Sequence, residues 1–141
     1  MAITLSDEAR RYIARFETAT GVAARDCVVD DERDRLLYLV PGGEMPQAIG
    51  PGGENVQQLE DDLDREIKLV EDAPTAEDFV ANALAPAAVF NVTISENDDT
   101  VAYAEVAEAD RGAAIGADGR NIEAARLLAA RHFDVDDVQL A

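Results

Sequence analysis

Two stretches of the chain combine residue types that can hold an anion. Ile49-Gly50-Pro51-Gly52-Gly53-Glu54-Asn55-Val56 returns 66 residues later as Ile115-Gly116-Ala117-Asp118-Gly119-Arg120-Asn121-Ile122. A glycine at each end of a four-residue turn permits positive φ, and the missing Cβ lets a sugar-phosphate backbone lie against the main chain. If each turn opens a helix, the unpaired N–H groups of that helix's first turn face the same place. Such a contact grips backbone, and bases would have to be read by an adjoining groove. The competing reading is a plain glycine corner between two helices that binds nothing. In the second loop Asp118 adds charge repulsion against a phosphate. Asn55 and Asn121 recur at one position, where an asparagine early in a helix most simply satisfies local backbone groups.

Other chemistries find little support. A single cysteine, Cys27, and a single histidine, His132, leave neither an intrachain disulfide nor a nitrogen-and-sulfur metal cluster. Cys27 lies in an apolar run and reads as core; His132 sits beside Phe133 near a helix end, where a packing or dipole role fits. The acidic run Glu60-Asp61-Asp62-Leu63-Asp64 lacks the spacing of a calcium loop and reads as a solvated helix face. Pro41-Gly42-Gly43 is not followed by Gly-Lys-Ser/Thr, so it is a turn rather than a nucleotide loop. No Ser/His/Asp or Cys/His constellation suggests catalysis. No catalytic residue, metal or cofactor is therefore expected.

The elements that must position the two loops occur in one repeated order. Ser6 is placed to cap a helix in which Ala9, Tyr12, Ile13 and Phe16 share a face, with Gly21 to stop it. Cys27–Val29 and Leu36–Val40 read as two strands around the polar turn Asp30-Asp31-Glu32-Arg33-Asp34. A short helix over Glu44–Gly50 precedes the first loop. A longer helix follows it, with Val56, Leu59 and Leu63 on one face, and Ile67–Val70 closes as a strand. After Asp72-Ala73-Pro74 the order begins again. Thr75 and Asp78 resemble a capping box for a helix that buries Phe79, Val80, Ala83 and Leu84 and stops at Pro86. Phe90, Val92 and Ile94 alternate with polar residues, and Val101–Val106 makes the partner strand beyond Glu96-Asn97-Asp98-Asp99. Asp110–Gly116 supplies the short helix, Arg120–Phe133 the long one, and Val138 with Leu140 the last strand. The boundaries expected are 1–72 and 73–141, two copies from an internal duplication.

The pattern Ile-Gly-x-x-Gly-x-x-Val/Ile, set between a short and a long helix within helix, strand, strand, helix, helix, strand, resembles the prokaryotic (type II) KH domain. The tandem pair with almost no linker resembles archaeal NusA-like transcription factors. The resemblance implies an α+β fold of two tandem type II KH domains, each α-β-β-α-α-β with helices packed on one face of a three-stranded sheet. It also implies that a GXXG loop clamps about four nucleotides of single-stranded RNA. Carried to this sequence, the RNA-binding residues are Ile49, Gly50, Pro51, Gly52 and Gly53, then Ile115, Gly116, Ala117, Asp118, Gly119 and Arg120. The two isoleucines are placed near bases. The variable loop positions, Pro51 with Gly52 and Ala117 with Asp118, carry no basic residue, and Arg120 is the favourable charge beside them. The implied role is transcription elongation, termination or antitermination. The alternative is a KH scaffold that docks on RNA polymerase or the ribosome with little direct RNA contact.

Charge bears on both readings. Thirty acidic residues against 12 basic ones give a formal net charge of −18, and Lys68 is the lone lysine. Taken alone, this disfavours nucleic acid and anionic membranes as partners. Acidic residues spread over the whole length, with arginine in place of lysine and many alanines, instead read as halophilic adaptation. At roughly 1 M salt the Debye length is about 3 Å, so long-range repulsion from RNA is screened. No apolar run approaches the roughly 20 residues of a membrane span, and Met1–Glu8 has no export-signal pattern. A cytoplasmic protein is expected.

Overall fold

Helix α1 (Asp7–Thr20) starts where the Ser6 hydroxyl accepts from the Ala9 N–H at 3.0 Å. It ends where Gly21, at φ 77°, lets its own N–H reach the Glu17 carbonyl at 2.8 Å. Both stops are those the residue types require, since serine accepts from an orphan donor and glycine enters the left-handed region freely. The computed structural model describes residues 3–141, of which Thr4–Asp72 and Ala73–Ala141 make two compact units.

In the first unit β1 (Asp26–Asp30) pairs antiparallel with β2 (Arg35–Val40), with Cys27 opposite Tyr38. The chain then crosses through α2 (Met45–Ile49) and α3 (Glu54–Leu63) to β3 (Glu66–Glu71), which pairs parallel with β2. The sheet order is β1-β2-β3. Phe16 of α1 stacks on Tyr38 with ring centroids 4.4 Å apart, and the Tyr38 hydroxyl donates to the Tyr12 carbonyl at 2.8 Å. Leu36, Tyr38, Val40, Cys27 and Ile67 form the core with Ala9, Phe16 and Leu59 of the helices. The alternate residues Arg35, Leu37 and Leu39 are buried as well, so β2 has no exposed face. That matches its reading as a continuous apolar run rather than an alternating one.

The second unit repeats the plan: α4 (Ala76–Ala83), β4 (Val89–Glu96), β5 (Thr100–Val106), α5 (Arg111–Ile115), α6 (Arg120–Phe133) and β6 (Asp137–Leu140). β4 and β5 are antiparallel, β5 and β6 parallel, and the order is β4-β5-β6. Thr75 caps α4 by accepting from the Asp78 N–H at 3.2 Å. Phe79 packs on Phe133 at 4.9 Å between ring centroids, and Ala102 and Ala104 of β5 are fully buried, as are Ala124, Ala125, Leu128 and Ala129 of α6. The chain is thus α+β, two three-stranded sheets each with its helices, as the sequence pattern implies.

Three details depart from the sequence reading. α4 stops at Ala83, short of Pro86, with Leu84 as its last cap. A 3-10 turn over Glu108–Asp110 precedes α5, which shortens the expected helix. Phe90 does not continue the alternation of Val92 and Ile94: the register shifts between Val89 and Asn91, and the ring stays 70% exposed. A bulge of this kind re-aims one side chain relative to its neighbours.

Candidate nucleic-acid interface

Each expected loop forms a corner between a one-turn helix and a long one. α2 is pinned by fully buried Ala48 and presents Ile49 outward; α5 does the same with Ala114 and Ile115. Ile49 and Ile115 remain 38% and 41% exposed, an unusual place for large apolar side chains directly beside a polar turn. Gly50 N–H bonds the Pro46 carbonyl at 3.0 Å and Gly53 N–H bonds the Gly50 carbonyl at 3.1 Å. The second corner repeats these as Gly116 to Gly112 at 2.8 Å and Gly119 to Gly116 at 3.1 Å.

The two corners have matching backbones. Gly50 has φ 78° and ψ 168°, Gly116 φ 78° and ψ 169°. Gly53 and Gly119, at φ 79° and 76°, are the N-caps of α3 and α6. The first position lies in a region that only glycine occupies readily. Space fixes it as well: a Cβ on Gly50 would come within 2.7 Å of the Asn55 Cγ, and one on Gly116 within 2.8 Å of the Asn121 backbone N. A Cβ on Gly52 or Gly53 would meet nothing within 4 Å, so the outer surface of the first loop is open.

The asparagines serve the corner, as their position suggests. Asn55 Nδ2 donates to the Gln47 carbonyl at 3.0 Å, and Asn121 Nδ2 donates to Ala113 at 3.3 Å, Ala114 at 3.1 Å and Leu84 at 3.3 Å. They tie the short helix to the long one across the loop. The sequence reading missed why they stand so close to the first glycine. The repeated Gly-to-Asn spacing of five residues was the available signal.

Asp118 has a structural reason that charge alone hides. It sits at φ 55° and ψ 27°, the left-handed position that Gly52 fills in the first loop at φ 62° and ψ 17°. The non-glycine residues found at positive φ are Asp34, Asp64, Asp118 and Asp134, all aspartates. Aspartate tolerates this conformation better than most residues, so an acidic chain can use it where others use glycine or asparagine.

The long helices after the loops begin differently from α1 and α4, and share with the short α2 and α5 the lack of a side-chain cap. α1 and α4 have a side-chain cap, whereas α3 and α6 begin on a glycine with no side-chain hydrogen bond to their first turn. The Glu54 and Arg120 N–H groups return to the Pro51 and Ala117 carbonyls, and the N–H groups left unpaired in the rest of each first turn favour an anion. Each unit therefore gathers an exposed isoleucine, a glycine at each end of the turn and a helix start with no side-chain cap. In the first unit this brings together Ile49, Gly50, Pro51, Gly52 and Gly53. In the second it brings together Ile115, Gly116, Ala117, Asp118 and Gly119, with half-buried Arg120 opening α6.

The other singled-out residues take structural places. Cys27 is buried, with its thiol pushed up to about 12 by burial first and by the nearby Asp26 charge second. His132 lies in the last turn of α6. Among the described residues no group of histidine, cysteine and acidic side chains could hold a metal ion, and no helix is long and apolar enough to cross a membrane. The acidic run on α3 is mostly exposed, except that Glu60 accepts from the Ile67 N–H at 3.1 Å and Asp64 forms the left-handed C-cap.

Comparisons with known proteins follow the same lines. A family model for a KH domain matches residues 8–98, and one for a NusA-like second KH domain matches residues 76–141. The chain is similar to the probable transcription termination protein NusA of Halobacterium salinarum, 66% identical over 140 residues and covering 99% of each chain. The protein of the same name from Halococcus morrhuae is 62% identical over 141 residues, covering 100% of each. Both sources are halophilic archaea. Among solved structures, the crystal structure of APE1850 aligns with a TM-score of 0.87 at 36% identity, covering 97% of this chain and 100% of that one.

Proposed function

The chain belongs to the NusA-like family of KH-domain proteins, and from that premise we propose that it is a non-enzymatic RNA-binding factor of transcription termination, antitermination and elongation. Single-stranded RNA is clamped by its backbone at Gly50-Pro51-Gly52-Gly53 and at Gly116-Ala117-Asp118-Gly119, with bases against Ile49 and Ile115. The observation that carries this reading is the pair of corners with matching dihedrals, each opening a long helix that no side chain caps. Packing fixes the first glycine of each corner but not the openness of the rest of the loop.

The mechanism follows from which donors are available. Neither variable pair is basic, so attraction is short-range: main-chain N–H groups and the helix termini meet phosphate oxygens, and apolar side chains meet bases. Such contacts survive molar salt better than long-range steering does. Arg120 adds a cation at the start of α6.

Anisotropy of a labelled oligoribonucleotide in molar KCl tests the reading, with the parent compared to a Pro51→Asp/Gly52→Asp variant. The left-handed position 52 accepts aspartate, as Asp118 does in the second loop, so the change alters charge more than backbone. Weaker binding by the variant is expected. Equal binding removes the first loop from the site. The second reading, a KH scaffold that docks on RNA polymerase or the ribosome, is favoured by Asp118 and the missing basic residues. Nuclease-resistant retention of polymerase, together with no direct RNA binding, would support it instead.

A further inference from the structure

We propose that Arg11 and Arg15 of α1, with Arg10 beside them, form a second phosphate-contact surface that carries the RNA backbone onward from the first glycine loop. The inference rests on the RNA-binding reading and extends it to residues outside the loop-and-helix corner.

The starting observation is where the few cations go. In a chain with 30 carboxylates and 12 basic residues, most cations should find a partner. Arg25 pairs with Asp72 at 2.7 Å, Arg35 with Asp30 at 2.9 Å, Arg65 with Asp31 at 3.7 Å, and Arg126 with Glu123 at 2.6 Å and Asp137 at 2.9 Å. Arg111 donates to the Ala141 carbonyl at 2.9 Å. Arg10, Arg11 and Arg15 are exposed and have neither an ion pair nor a side-chain hydrogen bond among the described residues. Yet Asp7, Glu8 and Glu17 stand on the same helix.

Asp7 and Glu8 stand three or four residues before Arg10 and Arg11, a favourable helix spacing, but Arg15 has no acid at that spacing on α1. Arg11 and Arg15, four residues apart, share one side of the helix, and like charges at that spacing repel. Exposed cations with no ion pair among the described residues, in a chain otherwise so acidic, suit an anionic partner outside the fold.

The position suits RNA leaving the first loop. The C-terminal end of α1 abuts the helix that leads into that loop: Gln47 Nε2 donates to the Thr20 carbonyl at 3.3 Å, and the Gln47 carbonyl in turn accepts from Asn55. A Cβ on Gly21 would come within 2.9 Å of Gln47 Nε2. From Thr20, Arg15 lies about 8 Å and Arg11 about 14 Å back along the axis at the usual rise per residue. Beyond the loop α3 offers Glu54, Asp61 and Asp62, all exposed, which repel a phosphate backbone. With Arg10, Arg11 and Arg15 against Asp7, Glu8 and Glu17, α1 is neutral where α3 carries acids and no cation, and this contrast directs an extended strand toward the arginines of α1. Guanidinium groups suit the task in salt, being weakly hydrated and able to grip phosphate through two donors.

The test uses the full chain and two labelled oligoribonucleotides, a tetranucleotide matching the loop clamp and a longer strand, over a series of KCl concentrations. Arg11→Gln/Arg15→Gln keeps good helix formers at exposed positions. The expected result is about tenfold weaker binding of the longer strand, with the slope of log K against log salt reduced in magnitude by about 1.4, two single-strand phosphate contacts' worth. Tetranucleotide binding should be unchanged, and Arg11→Lys/Arg15→Lys should restore the slope. Parent-like affinity and slope in the Gln variant overturn the inference. If Gly52→Asp still weakens binding in that case, the RNA reading stands and the arginines face an acidic protein instead. A parent chain that binds neither oligonucleotide sinks both.

Discussion

Gly50→Ala probes how tightly the first corner is built. At φ 78° and ψ 168° any side chain is strained, at a cost of about 1–3 kcal/mol. The new Cβ would stand 2.7 Å from both Cγ and Nδ2 of Asn55, so that side chain must move and its 3.0 Å bond to the Gln47 carbonyl weakens. That hydrogen bond contributes about 1 kcal/mol. Together these give about 2–4 kcal/mol. Gly52→Ala is the control: its φ of 62° and ψ of 17° is plain left-handed backbone with nothing within 4 Å, and its cost is about 1–2 kcal/mol before the gain in unfolded-state entropy. Urea unfolding in molar KCl, followed by circular dichroism, reads the difference. A double-mutant cycle sharpens it. Asn55→Ala should relieve part of the Gly50→Ala penalty, whereas Asn121→Ala should relieve less of Gly116→Ala, because there the backbone N of residue 121 also lies 2.8 Å away. Gly50→Ala no more costly than Gly52→Ala, or no coupling to Asn55, would refute the claim that the asparagine contact fixes the corner.

Two further outcomes follow from the charges and the thiol. Arg35 is 1% exposed and bonds Asp30 at 2.9 Å, with one of its terminal nitrogens, Nη2, lacking a partner; Asp30→Asn should therefore cost about 3–5 kcal/mol in denaturant unfolding, against about 1 kcal/mol or less for Arg25→Gln at its exposed pair. Equal losses would show that burial does not set the strength of the pair. Cys27, its thiol pushed up to about 12 by burial and by Asp26, should resist iodoacetamide at pH 8.5 until the first unit unfolds. Because the folded-state value lies above the unfolded one, this group's contribution is complete at neutral pH and declines as pH rises past about 9 toward 12. Native labelling at the rate of a free cysteine would contradict the buried placement.

Most of the fold was legible because each element carries its own boundary chemistry. Ser6 and Thr75 cap helices by hydrogen bonds that sequence spacing already implies, and Gly21 ends α1 in the left-handed conformation that glycine enters most freely. α6 runs over Arg120–Phe133, the span its periodicity outlines. What stayed hidden depends on tertiary register or on backbone angles. Phe90 continues the alternating pattern in sequence, yet a shift in its pairing with β5 turns it to solvent, and nothing local encodes that shift. Asp118 reads as a charge set against phosphate, whereas its position demands a residue that tolerates positive φ. Glu60 looks like one more solvated acid until the start of β3 comes back beside it. At the candidate site the glycines and isoleucines were visible by repetition, but the uncapped helix starts and the Gly-to-Asn approach required coordinates.

The central claim, that both corners hold RNA backbone, is tested most directly by amide chemical shifts of the labelled protein titrated with a single-stranded oligoribonucleotide in molar KCl. The account predicts the largest changes at Gly50–Asn55 and Gly116–Asn121, with the Ile49 and Ile115 methyl groups shifting alongside them. Changes confined to other surfaces, or none at saturating RNA, would contradict it.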